Sequence, residues 1–298
     1  MKILNNLNKN FNNKRMNHCS YFIKDKAMFG SFPSKEAVEE LEREGVRYFV
    51  DLTDNKIESK IVPYTTKYNY INFPIKDNSV PKDWIMFSKF IIRISNIINS
   101  LGPKEMIYIH CRGGHGRSGV VVSCILCFMF DLSQREAIDY TTLCHKNRTV
   151  MRDKWRKLGS PQTSIQKKFV FKFFQPLKIY HTYKNSISIG FSNISPHPVN
   201  IDGEIFENSE LAIKSEFQKN FDNNKIEVIK EILQLKFDQN PSIRKNLINT
   251  GLRPLVYNSN KNTSNNKNIL GKIITQIRNK YYEEYEEELK EEFKYEES

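Results

Sequence analysis

The chain has 298 residues, and 46 Lys+Arg against 34 Asp+Glu give it a net charge of +12; its length allows one large domain or two ordinary ones. With 39% hydrophobic and 27% charged residues it holds enough apolar material for packed cores, which excludes a disordered chain, a collagen, a disulfide scaffold and a coiled coil. The longest apolar run, Val120 to Phe130 with Ser123 inside it, is about half of the ~20 residues needed to cross a bilayer.

The opening MKILNNLNKNFNNKRM lacks a hydrophobic period, the apolar segment of a secretory signal and a small-residue cleavage site. Residues 1–16 are therefore expected to form a disordered arm, and the protein is expected to be intracellular and cytoplasmic. Five cysteines, Cys19, Cys111, Cys124, Cys127 and Cys144, make an odd number, so reduced thiols are expected rather than a disulfide framework. The last 18 residues, from Tyr281, hold nine Glu and two Lys, a net −7 that leaves +19 on the first 280. They read as an acidic tail, 281–298. The basic remainder favours anionic partners, and nucleic acid, anionic lipid and phosphorylated protein all qualify.

Order is expected from near Tyr21. Ser34 offers an N-cap, Val38 and Leu41 share a face and Gly45 is a stop, so a helix feeds the β-rich run VRYFVDLT. A second strand, YNYINFP, leads through KDNSVP to Trp84, Phe87, Ile91, Ile94 and Ile98 at helical spacing, with Pro81 expected in the first turn and the end at Gly102-Pro103. Next come a strand, MIYIH, a glycine-rich loop, CRGGHGRSG, and an apolar helix, VVVSCILCFMF. Ser133 and Glu136 form a capping box, and a further helix follows Ser160-Pro161 with Pro161 expected at its first position. A first domain, 17–176, should close near Pro176. A second, 177–280, starts afresh with SISIGF, a hairpin at Asp202-Gly203 and helices from about Asn208, Asn224 and Pro241, the last capped by Asn240. The fold class is α/β: a central sheet flanked by helices, then a smaller, mainly helical α+β domain.

The loop His110–Gly119 carries the chemistry. Gly113, Gly114 and Gly116 let successive backbone N–H groups point inward, and the following helix adds the positive end of its dipole, so the loop is an anion cup. A cysteine in that field, Cys111, is favoured as the thiolate, and Arg117, six positions on, can clamp two phosphate oxygens as a planar fork. These residues resemble the protein tyrosine phosphatase superfamily with its C-x5-R-S/T loop, and more closely its dual-specificity branch, from about Tyr21 to Pro176. The resemblance implies Cys111 as nucleophile, Arg117 as phosphate clamp and Ser118 as the hydroxyl that helps sulfur leave, with no cofactor or metal. It also implies an aspartic general acid. NFPIKDNSVP puts that role on Asp77, with Asp83 as runner-up and Asp51 and Asp54 read as structural or solvent-facing. GSPQTSIQ resembles a water-positioning glutamine segment, implicating Gln166 and Gln162, and equally reads as a helix start. Arg112 and His115 either make the cup rim more basic or turn away from it. His110 is implied to be a buried hydrogen-bonding residue, and Cys124-x2-Cys127 reads as core.

FSNISPHPVNIDGEIFENSELAIKSEF, LKFDQNPSIRKNLINTG and KNILGKIITQIR resemble in order the NADAR (YbiA-like) family, which cleaves N-glycosidic bonds of phosphorylated ribosides or ADP-ribose adducts. Its acidic residue maps to Glu210, while Leu211, Leu252 and Tyr257 stand where that family has a histidine and two acids. The domain is therefore expected to be a degenerate binder of an anionic nucleotide or ADP-ribose-like ligand, or a scaffold. For the whole chain the reading is a cysteine-dependent phosphatase acting on phosphotyrosine, and on phosphoserine or phosphothreonine, of proteins. The alternatives are a phosphatase on RNA 5′ ends or phosphoinositides, and a phosphate- or ADP-ribose-binding adaptor with vestigial catalysis. Tyrosine-only and dual specificity are not distinguished, nor is the oligomeric state.

Overall fold

The computed structural model describes residues 17–54, 58, 61–180, 188, 190–219, 224–258 and 268–296, with side chains described as far as 284. The expected disordered arm, 1–16, lies outside them. The chain divides into two compact units, Met1–Phe174 and Gln175–Ser298. No helix among the described residues is long and apolar enough to cross a membrane.

The first unit is built on five strands: β1 (Cys19–Ile23), β2 (Ala27–Gly30), β3 (Val46–Asp51), β4 (Asn69–Asn72) and β5 (Met106–His110), in the order β1-β2-β5-β3-β4. β1 is antiparallel to β2 and the other pairings are parallel. The β1–β2 hairpin was not among the expected elements, and order starts before Tyr21. In register, Gly30 and Asp51 both lie opposite His110, so three parallel strands end together where the glycine-rich loop begins. That end of a parallel sheet is where α/β folds bind ligands.

Helix α1 (Lys35–Glu44) starts where Ser34 Oγ accepts the Ala37 amide and ends at Gly45, whose φ of 117° suits a residue without a Cβ. Its Val38 and Leu41 pack with Met28, Phe49, Met106 and Tyr108 on one face of the sheet. The period of two along a strand leaves Ile107 and Ile109 for the other face, where they too are buried. Helix α2 (Trp84–Ser100) buries Phe87, Ile91, Ile94 and Ile98 as the spacing requires. Its cap is Asp83, so Pro81 lies before the helix and not in its first turn. Helix α3 (Arg117–Phe130) is buried from Arg117 through Cys127, which is why its sequence shows no polar stripe. The Cys124 and Cys127 thiols within it are pushed up by burial, Cys127 to about 12, as expected of core residues. Helix α4 (Gln134–Lys146) carries the expected Ser133–Glu136 capping box. After the short α5 (Asp153–Leu158), α6 (Ser164–Phe173) has its own box, Thr163 with Gln166. Pro161 is therefore not its first residue: a cap that satisfies two end groups fixes the start three positions later.

In the second unit β6 (Leu177–Tyr180) pairs in parallel with β9 (Leu255–Asn258), and β7 (Val199–Ile201) and β8 (Glu204–Phe206) form the expected hairpin, with positive φ at both Asp202 and Gly203. Helices α7 (Ser209–Lys219), α8 (Lys225–Gln239), α9 (Pro241–Ile248) and α10 (Ile269–Glu296) complete it. Asn240 precedes α9 without a side-chain cap; its amide instead donates to Pro198 O and Lys236 O. The core joins Ile179, Phe191, Leu233, Phe237, Leu255 and Ile274. The boundary expected between 280 and 281 falls inside α10. Tyr281 and Tyr282 are buried there, and Tyr281 hydroxyl donates to Asp238 at 2.7 Å, so the acidic sequence begins as part of the domain.

Candidate active site

The residues between β5 and α3 wrap tightly because two glycines have no room for a side chain. Gly114 has φ +70°, and a Cβ there would lie 2.4 Å from the carbonyl carbon of Gly30; one on Gly116 would meet the Gln166 side chain at 2.7 Å. Cys111 is buried at the start of this loop, and its Sγ is 3.6 Å from Ser118 Oγ. Arg117 and Ser118 open α3, so the positive end of the dipole of a fourteen-residue helix lies beside the sulfur.

Arg117 is buried and held from several sides. Its Nη1 donates to Glu58 Oε1 and to Ile75 O at 3.0 Å, and its Nη2 to Glu58 Oε2 at 3.1 Å; Asp77 Oδ1 lies 3.0 Å from the same Nη2. Burial alone would lower the guanidinium, but the Glu58 hydrogen bond and the Cys111, Glu58 and Asp77 charges hold it above its ordinary value. Burial raises the Glu58 carboxyl, and hydrogen bonds from Arg117 and the Asp54 amide more than reverse this, leaving it below the usual carboxylate range. Sequence reasoning missed Glu58, which no local pattern marks.

The structure brings Asp77 to Arg117 and keeps it half in solvent. It does not bring Asp83 there: that carboxylate accepts the Ile85 and Met86 amides at 2.9 and 3.0 Å as the α2 cap. Asp51 is buried and accepts from the Thr53 amide and hydroxyl and from Tyr70 hydroxyl. Gln166 is buried against the loop, its Nε2 donating to Ser79 O at 3.1 Å and its Oε1 accepting the Thr163 amide. It thus links the Asp77 segment to the phosphate loop while also serving as a helix cap. Gln162 is half-buried in the connection before α6.

Arg112 is exposed, as a rim cation would be. Of the two readings offered for His115, the one in which it turns to partners away from the rim fits the structure. Its Nδ1 is 2.8 Å from His145 Nε2, its ring stacks on Trp155 at 5.1 Å, and burial with the nearby Arg148 charge lowers it to about 4, so at neutral pH it adds no positive charge. His110 is likewise neutral, lowered to about 4 by burial despite the Asp51 charge, and hydrogen-bonded to Tyr64 hydroxyl at 2.7 Å. Arg148, also missed from sequence, is buried and donates to Gly114 O at 2.7 Å, Phe29 O at 3.0 Å and Ser20 Oγ at 3.4 Å. It props the loop from outside. Beside it a cavity of about 470 Å³ is lined in part by Gly113, His115, Arg148, Arg152 and Trp155.

In the second unit Glu210 lies in the first turn of α7, pairs with Lys214 at 3.5 Å, and donates its amide to Asn193 O at 3.0 Å. Tyr257 is raised by burial, against a hydrogen bond with Ser192 that lowers it, with a smaller rise from the Glu210 charge. Lys236 is fully buried, donates to Ser192 O at 2.6 Å and Ser195 Oγ at 2.7 Å, and is lowered to about 7 by burial.

Residues 16–170 match the family described as PTP-SAK, a Swiss Army Knife protein's DSP-PTPase phosphatase domain. Two relatives are named as tyrosine phosphatases. The 197R protein of Invertebrate iridescent virus 6 is 36% identical over 281 residues, covering 89% of this chain and 95% of that protein. The 067L protein of Invertebrate iridescent virus 3 is 40% identical over 160 residues, 53% of this chain and 66% of that one. Among solved structures, Tk-PTP in its active form is similar at 23% identity and a TM-score of 0.39, covering 49% of this chain and 89% of that chain. Kinase associated phosphatase, solved with its catalytic-site cysteine replaced by serine, is similar at 19% identity and a TM-score of 0.40, covering 49% and 84%.

Proposed function

This chain belongs to the DSP-PTPase phosphatase family, and on that premise we propose that it hydrolyses phosphotyrosine, and phosphoserine or phosphothreonine, of proteins through a phosphocysteine. The observation that carries this reading is the convergence of Cys111 Sγ, Ser118 Oγ and a buried Arg117 on one loop, with Asp77 3.0 Å from the guanidinium. The Cys111 thiolate attacks phosphorus and the ester P–O bond breaks. The departing oxygen takes a proton from Asp77, because an alkoxide or phenolate leaves poorly without one. The Asp77 carboxylate then accepts a proton from the attacking water as the S–P bond breaks, and Ser118 hydroxyl donates to the departing sulfur. Arg117 and the inward amides stabilise the equatorial oxygens throughout. Gln166 is the water-positioning candidate best supported, since its side chain lies against the loop at Gly116.

Cys111→Ser tests the mechanism. It should abolish turnover while phosphate-ester binding stays measurable, because the amides and Arg117 remain; activity close to the native protein would refute it. A second reading, a phosphatase on RNA 5′ phosphates or phosphoinositides, is favoured by the Arg148- and Arg152-lined cavity beside the loop. A cytoplasmic site of action is part of the proposal and fits five free cysteines.

For the second unit the reading is a NADAR-like domain that binds an anionic nucleotide or ADP-ribose-like ligand without cleaving it. The alignment with 197R covers 89% of the chain, so it takes in much of this unit. Glu210 there pairs with the exposed Lys214 of its own helix where a glycosidase needs a second group to stabilise charge or activate the leaving base. Release of free base from an ADP-ribosylated nucleotide, abolished by Glu210→Gln, would overturn this.

A further inference from the structure

A groove of about 450 Å³ runs along one face of α1, where Ser34, Ala37, Leu41 and Glu44 recur at helical spacing and Glu40 stands beside them. Its floor includes Leu41 and Tyr108, both buried, and its lip carries the Glu40 and Glu44 carboxylates. One end of the groove abuts the residues that hold the phosphate loop. It is lined at one end by Ser31 and Phe32, and Phe32 donates its amide to Arg112 O at 3.1 Å and packs its ring edge-on to His110 at 5.1 Å. The electrostatics run against the rest of the chain: α1 holds five Glu against one Lys and one Arg, a net −3, on a protein of net charge +12.

A strand of nucleic acid or a phosphoinositide leaving the cup along this path would bring further phosphates toward Glu40 and Glu44, at a cost in like-charge repulsion. A peptide carrying a basic residue would gain there, its aliphatic stem on the apolar floor and its charged head at the lip. We propose that the groove is a docking site for the substrate's own chain, taking a Lys or Arg side chain about three to five residues from the phosphorylated residue. That spacing follows from the reach along α1 at ~1.5 Å per residue, ~9 Å from Ser34 to Glu40 and ~15 Å to Glu44, against ~3.3 Å per residue for an extended peptide. The inference rests on the reading of the Cys111 loop as a protein phosphatase site and names the substrate sequence it selects.

The test compares two phosphopeptides, identical except for Arg or Ala at those flanking positions, with the full-length protein. The Arg peptide should have about tenfold higher kcat/KM, the size expected of one charge-assisted contact. That ratio should fall to near one in Glu40→Lys. It should persist in Glu39→Lys, which makes the same charge change at an exposed α1 position outside the groove. An equal loss in both variants would mean that only the general field matters, and a ratio near one in the native protein would mean no docking; either overturns the proposal. So would an Arg preference that appears only when residues 1–16 are deleted, since the groove would then serve the chain's own basic amino terminus. RNA 5′-triphosphate turned over faster than either peptide would overturn the choice of substrate. If no phosphoester is hydrolysed, the phosphatase reading fails separately, and the ratio of peptide dissociation constants for the Cys111→Ser protein still decides the groove.

Discussion

Glu58→Gln separates a positioning role for the carboxylate from simple charge neutralisation. Both Glu58 oxygens accept from Arg117, whose side chain is 2% exposed against 10% for Glu58. With glutamine at this position one oxygen is replaced by an NH2 that faces a donor, so one charge-assisted bond is lost outright and the other becomes an ordinary one. At ~1.5–3 kcal/mol for a charged bond and about half that for a neutral one, the gross loss is ~2–4 kcal/mol. Arg117 keeps Asp77 and Ile75 O, which puts the expected loss of stability near the lower end, ~2 kcal/mol. For a unit of this size that corresponds to a fall in Tm of about 4–8 °C, readable by thermal denaturation. Kinetics on a small phosphate ester should show kcat reduced about tenfold, because the fork is no longer held in the plane the transition state needs. The sign with pH is fixed by the depressed native carboxyl: its stabilisation is complete above the unfolded value of ~4.3 and is lost as pH falls through the lower native value. The gap between native protein and variant should therefore close in acid. If Glu58 merely neutralised Arg117, the variant would bind inorganic phosphate more tightly with kcat undiminished, and that outcome would refute the positioning argument.

Asp77→Asn should remove the basic limb of the pH–rate profile and slow esters of poor leaving groups far more than good ones, by ~10²–10⁴-fold; that signature in Asp83→Asn instead would reassign the acid, although Asp83→Asn should cost some helix stability by weakening the α2 cap. Gly114→Ala should abolish phosphate binding, since its Cβ would lie 2.4 Å from Gly30 backbone at a φ of +70°; a crystal structure with an unchanged loop would contradict this. Native His110 is lowered to about 4 while the unfolded chain titrates near ~6.5, so the unfolded state takes up protons first and stability falls between those values, by up to ~3 kcal/mol for this group. Urea midpoints that stay flat from pH 7 to pH 4.5 would mean that His110 is not held neutral.

What the sequence made legible is what is local. Ser34 with Gly45, Ser133 with Glu136, and Asp202 with Gly203 each satisfy backbone groups within a few residues, so their patterns specify α1, α4 and the hairpin wherever the chain goes. The phosphate loop was legible for the same reason: Cys111, the glycines and Arg117 act through backbone they share. Proline misled at Pro81 and Pro161 because a fixed φ is compatible with a first turn without requiring one, and the residues that close a capping ring, Asp83 and Thr163, decided the start.

The partners that set the loop's electrostatics were not legible, because each arrives from across the fold. Glu58 meets Arg117 across 59 residues, Arg148 meets Gly114 across 34 and Phe29 across 119, and Gln166 meets Ser79 across 87. Neither Glu58 nor Arg148 belongs to a periodic face or a short motif, and Gln166, marked by its segment and its capping box, gave no sign of its contact with Ser79. Their positions follow from the common register of Gly30, Asp51 and His110, which brings three strand ends, and the segments that leave them, to one place. His115 makes the same point in reverse. Read beside Arg112 it is open to two readings, a rim cation or a group turned away, and only the placement of His145 and Trp155, 30 and 40 residues later, decides for a neutral wall of the loop. The chemistry of the cup is thus written locally, while its charge balance is a property of the sheet. Substitutions at Glu58 or Arg148 should accordingly alter the cup's rate and affinity without touching the motif by which it is recognised.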